Sequence, residues 1–249
     1  MQAKLIKLQA RTDYVDEVYK VLLDAISEGS LAPGTRITQE EIAEQLAVSR
    51  SPVLQALRLL KKDGLVQDAP GRGLLVAPLD AAWIGHLYEI RGTLDSLAAR
   101  LAAARAVKLD KHLIANGRKA ARGSDVKAMI EADGNFHMAI YLASGNPLIA
   151  ETARMHWVHL RRVMGAVLQV SAQRKTIWDE HAAIVAAIAQ GEVALAGELS
   201  EQHASRARMN LVQRLGEVLG TAGGAQYDLI PPNAPSAPVV ASATARSSS

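Results

Sequence analysis

Asp133 and His137 stand four residues apart in Glu131-Ala-Asp-Gly-Asn-Phe-His137, and His181 and His203 follow later in the chain. On a helix, that spacing puts Asp133 and His137 on one face. One carboxylate oxygen and three imidazoles would suit a divalent transition metal, with one or two coordination positions left for water or a ligand. Taken singly, each histidine also reads as a surface residue or a hydrogen-bonded core residue, and His86, His112, His156 and His159 show that histidine is not rare here. A second set of residues has a different chemistry. Ser49, Arg50, Ser51 and Gln55 are clustered, and Arg72 lies between Gly71 and Gly73. Arginine suits guanine edges or phosphate, glutamine pairs with adenine, and serine or a helix N-terminus takes phosphate oxygens. These five residues are the candidate DNA contacts.

The elements that would position the DNA set are legible between residues 36 and 77. Ile42, Leu46, Val53, Leu57 and Leu60 fall on the inner faces of two short helices. Thr38 with Glu41 has the spacing of a capping box, and Ser49 or Ser51 with Pro52 would start the second helix. Gly64 can end it in a left-handed cap. Leu65-Val66-Gln67 and Leu74-Leu75-Val76 then read as short strands flanking Asp68-Ala69-Pro70-Gly71-Arg72-Gly73. The sum is a winged helix-turn-helix: a recognition helix followed by a glycine-flexible tip that presents a cation to the backbone or minor groove.

The metal set needs helices, and from Pro78 the chain supplies them. Amphipathic segments are expected near 80–105, 108–122, 124–144, 146–171, 174–190 and 192–219, with turns at Gly123, Ser144-Gly145-Asn146 and Gly191. Asn146 reads as a helix cap with Pro147 in the first turn. Trp83, Trp157 and Trp178 read as packing anchors. The expected fold class is mainly α: a winged helix-turn-helix over residues 1–79 and an all-helical bundle over 80–219. The Pro-, Ala- and Ser-rich end, 220–249, is expected to be a disordered tail.

Composition sets the bounds. The chain of 249 residues has no cysteine and a net charge of only +3. With no apolar N-terminal run, disulfides, export and membrane spanning are not expected, and the expected compartment is the cytoplasm. Beyond Glu44, residues up to 79 keep Arg50, Arg58, Lys61, Lys62 and Arg72 against Asp63 and Asp68 only. DNA binding should therefore depend on salt without being indiscriminate.

Leu31-Ala32-Pro33-Gly34, Val48-Ser49-Arg50-Ser51-Pro52-Val53, Ala56-Leu57, Gly64-Leu65-Val66 and Gly71-Arg72-Gly73 resemble the N-terminal domain of the GntR superfamily of bacterial transcription regulators. Where that family usually has an arginine after the Pro-Val pair and then an acidic residue, this chain has Leu54 and Gln55. If that arginine reads a base, the operator should differ from the usual half-site, with Gln55 taking part of the readout. Asp133 to His137, Ala143-Ser144-Gly145-Asn146-Pro147, Glu180-His181, Ala187-Ile188, Gly191-Glu192 and His203 resemble the FCD effector domain of the FadR-type branch. This resemblance implies that Asp133, His137, His181 and His203 hold a metal, with zinc or nickel suiting imidazole-rich ligation. It also implies a small organic-acid effector. Arg91 matches an arginine common near the start of such domains and is the candidate carboxylate partner, a salt bridge to Glu89, Asp95 or a neighbouring helix being the alternative.

The expected function is a DNA-binding transcription regulator, not an enzyme. It would act as a homodimer whose recognition helices read an inverted repeat in double-stranded DNA, modulated by metal and metabolite. The competing class is a metal-dependent hydrolase with an accessory DNA-binding domain. Against it stand the absence of a nucleophile motif and of a well-placed general base, since Glu131 faces another part of its helix.

Overall fold

The computed structural model of the chain describes residues 14–168 and 174–221. Among these residues are nine helices and one antiparallel sheet of three short strands. Helix α1 (Val15–Glu28) was not among the expected elements. It buries Val15, Val18, Leu22, Leu23 and Ile26, which recur at helical spacing, and ends at Gly29, whose φ of 83° is left-handed. Strand β1 (Arg36–Ile37) leads into α2 (Gln39–Gln45). There the expected capping box is present: Thr38 Oγ1 accepts from the Glu41 amide, and the Glu41 carboxylate accepts from the Thr38 amide. Helix α3 (Arg50–Lys62) follows, then β2 (Val66–Asp68) and β3 (Leu74–Val76).

Two tight turns fix α3 in place. Between α2 and α3, Ala47 takes a φ of 52°, and the amides of Ala47 and Val48 bond back to Glu44 and Ala43. After α3, Gly64 takes a φ of 71°, and the amides of Gly64 and Leu65 bond to Lys61 and Leu60. Both are Schellman endings, but only the second has the glycine that makes the left-handed residue costless. Val53, Ala56 and Leu60 are fully buried between α1 and the sheet, each large side chain contributing about 1.5–3 kcal/mol.

The sheet order is β1-β3-β2, one strand more than expected. Arg36 pairs with Leu75 and Val66 with Val76, so β3 sits in the middle. The extra strand escapes sequence reading because two residues carry no period.

Six helices follow: α4 (Ala81–Ala104), α5 (His112–Arg122), α6 (Val126–Ala143), α7 (Pro147–Leu168), α8 (Arg174–Gln190) and α9 (Val193–Thr221). Asp80 and Asp125 cap α4 and α6, and Asn146 accepts from the Leu148 amide at the start of α7, as expected of an Asn-Pro pair. Helix α5 starts four residues later than expected, because Ala106 leaves the helix with a φ of 44° and the Asp110 carboxylate takes the His112 amide. Helix α9 runs through Thr221; the tail beyond it, and the expected end of the fourth helix of the bundle near 171, lie outside the described residues. Trp178 is buried over Gly117, where even a methyl would collide with the indole ring at 2.0 Å. Among the described residues no helix is long and apolar enough to cross a membrane.

The winged helix and the bundle meet along α1 and α7. A Cβ on Gly165 would lie 1.9 Å from the Ser27 carbonyl oxygen, so glycine permits the two backbones to touch. Around that contact Arg161 pairs with Asp24 at 2.6 Å, and Lys127 reaches Glu28 at 3.1 Å. Arg162 donates to the Ala77 carbonyl, and His159 packs edge-on against Trp83 and beside Gly64.

Candidate metal centre and DNA-reading surface

Helix α3 turns Val53, Ala56, Leu57 and Leu60 inward, which leaves Arg50, Ser51, Leu54, Gln55 and Arg58 exposed on the opposite face. Ser49 is the exposed N-cap residue and its hydroxyl makes no capping bond to the first amides of α3. Arg50 pairs with Glu40 at 3.4 Å, both well exposed. Such a pair is weak and gives way readily to phosphate. Gln39 donates to the Arg50 carbonyl at 2.7 Å and ties α2 to the start of α3.

Arg72 is exposed at the wing tip, some distance along the chain from the α3 residues but in the same N-terminal unit. Its loop is held by Arg36, whose guanidinium donates to the carbonyls of Pro70 and Arg72. Gly73, with a φ of 89°, would bring a Cβ within 2.8 Å of the Ile37 carbonyl oxygen. The wing is therefore pinned to β1 rather than loose. Sequence reading missed Arg36, since a side chain bonding distant backbone carbonyls leaves no spacing signature.

In the bundle, α6 presents Asp133 and His137, α8 presents His181 and α9 presents His203. Donor nitrogens of the three histidines all lie within 4.8 Å of one another. Asp133 completes the group: its oxygens lie 3.8 Å from His137 Nε2 and 3.7 Å from His181 Nε2. The Nε2 atoms of His181 and His203 face each other at 3.2 Å. Two donors about 2.1 Å from one ion stand roughly 3–3.5 Å apart, and the separations of 3.2, 3.7 and 3.8 Å lie within a few tenths of an ångström of that range.

The surroundings favour ligation. Glu180 Oε2 lies 2.8 Å from His203 Nδ1, and Arg206 holds the other Glu180 oxygen at 2.9 Å. With its Nδ1 proton given to Glu180, His203 turns an Nε2 lone pair toward His181. Either His181 donates a proton to it, or both nitrogens aim lone pairs at a shared cation. His137 Nε2 is buried and has no hydrogen-bond partner. Burial pushes the pKa of His137 down, with Arg91 adding to the effect, and pushes that of His181 well down. Both are neutral and able to ligate at pH 7. Behind His137, Asp95 accepts from the Tyr141 hydroxyl, and although burial opposes its charge, His137 and Arg91 hold its pKa well below the usual carboxylate range.

Arg91 is only 6% exposed. It pairs with Asp95 at 3.4 Å and Asp133 at 3.7 Å, and donates to the Tyr88 hydroxyl at 3.2 Å. Burial alone would lower its pKa, but Tyr88, Asp95 and Asp133 raise it above the ordinary arginine value. Glu89, the other candidate partner, pairs with Arg208 instead. A cavity of about 120 Å³ opens beside these groups, lined by Arg91, Asp133 and His203 and by Arg206, Asn210 and Arg214 along α9. Arg206, Asn210 and Arg214 were not singled out in the sequence. Asp95 was named there as an alternative salt-bridge partner of Arg91, a pairing the structure contains, and Glu180 entered only beside His181, without its bond to His203. Glu131 is exposed, consistent with its expected exclusion from the site.

Comparison with known proteins agrees with this architecture. The family model of bacterial regulatory proteins of the gntR family matches residues 14–76, and that of the FCD domain matches residues 86–206. An uncharacterized HTH-type transcriptional regulator from an unstable DNA locus of Streptomyces ambofaciens is 30% identical over 192 residues, covering 75% of this chain and 80% of that protein. Among solved structures, a putative GntR transcriptional regulator from Rhodococcus sp. RHA1 matches with a TM-score of 0.68 at 26% identity, over 81% of this chain and 99% of that one. McbR/YncC from E. coli shares the fold with a TM-score of 0.67 at 20% identity, over 86% of this chain and 100% of that one. The chain belongs to the GntR family of bacterial regulatory proteins, in the branch that joins the winged helix to an FCD domain, and is a DNA-binding transcription regulator rather than an enzyme.

Proposed function

We propose that this regulator reads an inverted-repeat operator as a homodimer and that its bundle senses a small organic acid through a divalent metal. Ser49, Arg50, Ser51 and Gln55 contact the major groove and its phosphates, while Arg72 on the wing contacts the adjacent backbone or minor groove. The division of labour follows residues 1–79 for DNA, 80–219 for metal, effector and dimer contacts, and 220–249 as a tail.

Asp133, His137, His181 and His203 hold the metal, with zinc or nickel favoured by the imidazole donors. The observation that carries this reading is the convergence of these four residues around the unpartnered His137 Nε2, two of them, Asp133 and His203, lining a cavity that the buried Arg91 also lines. A divalent ion there would offer open coordination positions to a carboxylate. Arg91 takes the same carboxylate, and its fixed charge orients it.

Helix α7 supports a route from cavity to DNA. Met164 and Val167 line the cavity, while Arg161 and Gly165, on the same turns, contact α1. A ligand that favours one position of α7 therefore favours one position of the winged helix and shifts the population of dimers that fit the operator spacing.

The test is selection of genomic fragments by the full-length protein at physiological salt, with and without a chelator. Enrichment of one inverted repeat, altered by chelation, is expected. Enrichment indifferent to chelation would remove the metal from DNA control, and enrichment of no sequence in either condition, with or without added organic acids, would overturn the operator reading.

A further inference from the structure

We infer that Glu180 is a positioning residue for the metal: it takes the Nδ1 proton of His203 and so fixes Nε2 of that ring as the donor atom, while Arg206 anchors the carboxylate by its other oxygen. This rests on the reading of Asp133, His137, His181 and His203 as a metal centre and adds the device that presets one of the four.

Helix spacing builds the device. His203 and Arg206 stand three residues apart on α9 and therefore share a face. A single carboxylate from α8 spans them, with Oε2 2.8 Å from His203 Nδ1 and Oε1 2.9 Å from Arg206 Nε. An ionised carboxylate only accepts, so the ring nitrogen that faces it carries the proton. The lone pair then lies on Nε2, which faces His181 Nε2 at 3.2 Å inside the cluster. The other two rings lack so close a contact at Nδ1. That of His137 lies 3.6 Å from Asp95, and that of His181 is buried without a hydrogen-bond partner.

Glu180→Gln separates this role from simple packing, because an amide has one accepting end and one donating end. Arg206 only donates, so it claims the amide oxygen and turns the NH2 toward His203 Nδ1. That nitrogen must then accept, and the ring proton moves to Nε2, where it opposes ligation. Glu180→Ala removes the hydrogen bond but leaves the ring free to take either tautomer. The change that keeps the shape of the side chain is therefore the more damaging of the two, the reverse of what lost packing would give.

Zinc titration of the full chain against a chromophoric chelator tests this, together with nitrogen-15 spectra of the histidine rings in the metal-free chain. Glu180→Ala should weaken zinc about tenfold and Glu180→Gln about a hundredfold, the range expected for the hydrogen-bond partner of a ligating histidine. The His203 proton should sit on Nδ1 in the wild type and on Nε2 in Glu180→Gln. Adding Arg206→Ala to Glu180→Gln frees the amide to turn its oxygen to His203, and should restore the Nδ1 tautomer and recover about tenfold in affinity. Glu180→Gln binding zinc no more weakly than Glu180→Ala, or leaving the tautomer unchanged, overturns the role of Glu180 while leaving the metal centre intact. No zinc binding by the wild type overturns the metal centre itself.

Discussion

The winged helix and the bundle handle charge in opposite ways. On α3 and the wing, Arg50, Gln55 and Arg72 stand in solvent on a scaffold that buries no charged side chain among the described residues 14–79. In solvent the two guanidinium charges cost little to maintain, and on the proposed reading they meet a polyanion. In the bundle, Arg91, Asp95, His137, His181 and His203 are buried together, with polar atoms such as His137 Nε2 left unmatched. Buried polar groups without partners are expensive, so such a cluster persists where a ligand completes it. On the proposed reading a metal completes the second region, whereas the first needs no partner to hold its fold.

The sharpest way to break this contrast is metal removal. If an ion completes the buried cluster, chelation should lower the stability of the full chain by about 4 kcal/mol when the metal is present at a thousand times its dissociation constant. Thermal unfolding with and without zinc reads this. His203→Ala should abolish the response, whereas Arg72→Ala should shift stability by no more than about 0.5 kcal/mol.

Next in size is the response to acid where the two regions touch. Burial pushes the His159 pKa down to about 4 from 6.5 in the unfolded chain. A depressed folded pKa gives stability that is complete above about 6.5 and is lost as pH falls toward 4, at most about 3 kcal/mol in all. Denaturation across that window should be steeper for the wild type than for His159→Gln, and parallel curves would remove His159 from the account.

Gly165→Ala comes third. With the Ser27 carbonyl in the way, the α1–α7 contact must open, at a cost of about 2 kcal/mol, and wild-type coupling between cavity and DNA should weaken with it. Unfolding of the variant should show the winged helix parting before the bundle. Gln55→Ala is expected to cost about 1.5 kcal/mol at one operator position and to relax specificity there, while Arg72→Ala weakens binding to all sequences alike and lowers the salt slope by about one. The smallest effect belongs to Ala47→Gly. Relief of the left-handed penalty and the added freedom of the unfolded chain nearly cancel, leaving a shift below about 1 kcal/mol.

The same contrast explains what could be read from sequence. The winged helix is written in local signals: Thr38 with Glu41, Pro52, Gly64 and the Gly-Arg-Gly tip each act within a few residues. What escaped there was α1, together with β1 and the hold of the Arg36 side chain on the wing carbonyls, the last two being contacts across more than thirty residues. In the bundle, Asp133 and His137 declare themselves by one-turn spacing, but their meeting with His181 and His203 depends on helix packing that periodicity does not encode. Resemblance supplied that step. Arg206 and Arg214 carry no sequence signal, because they line a cavity that exists only once α7, α8 and α9 are packed.

The most direct test is a zinc titration of the metal-free full chain, followed by calorimetry, once alone and once bound to its selected operator. Linkage requires that a metal which alters DNA binding be bound with a different affinity in the two states. The account predicts one zinc per chain, lost in Asp133→Asn and His137→Ala, with a dissociation constant that changes when operator is present. Equal dissociation constants in both states would contradict the coupling, and no binding at all would contradict the metal centre itself.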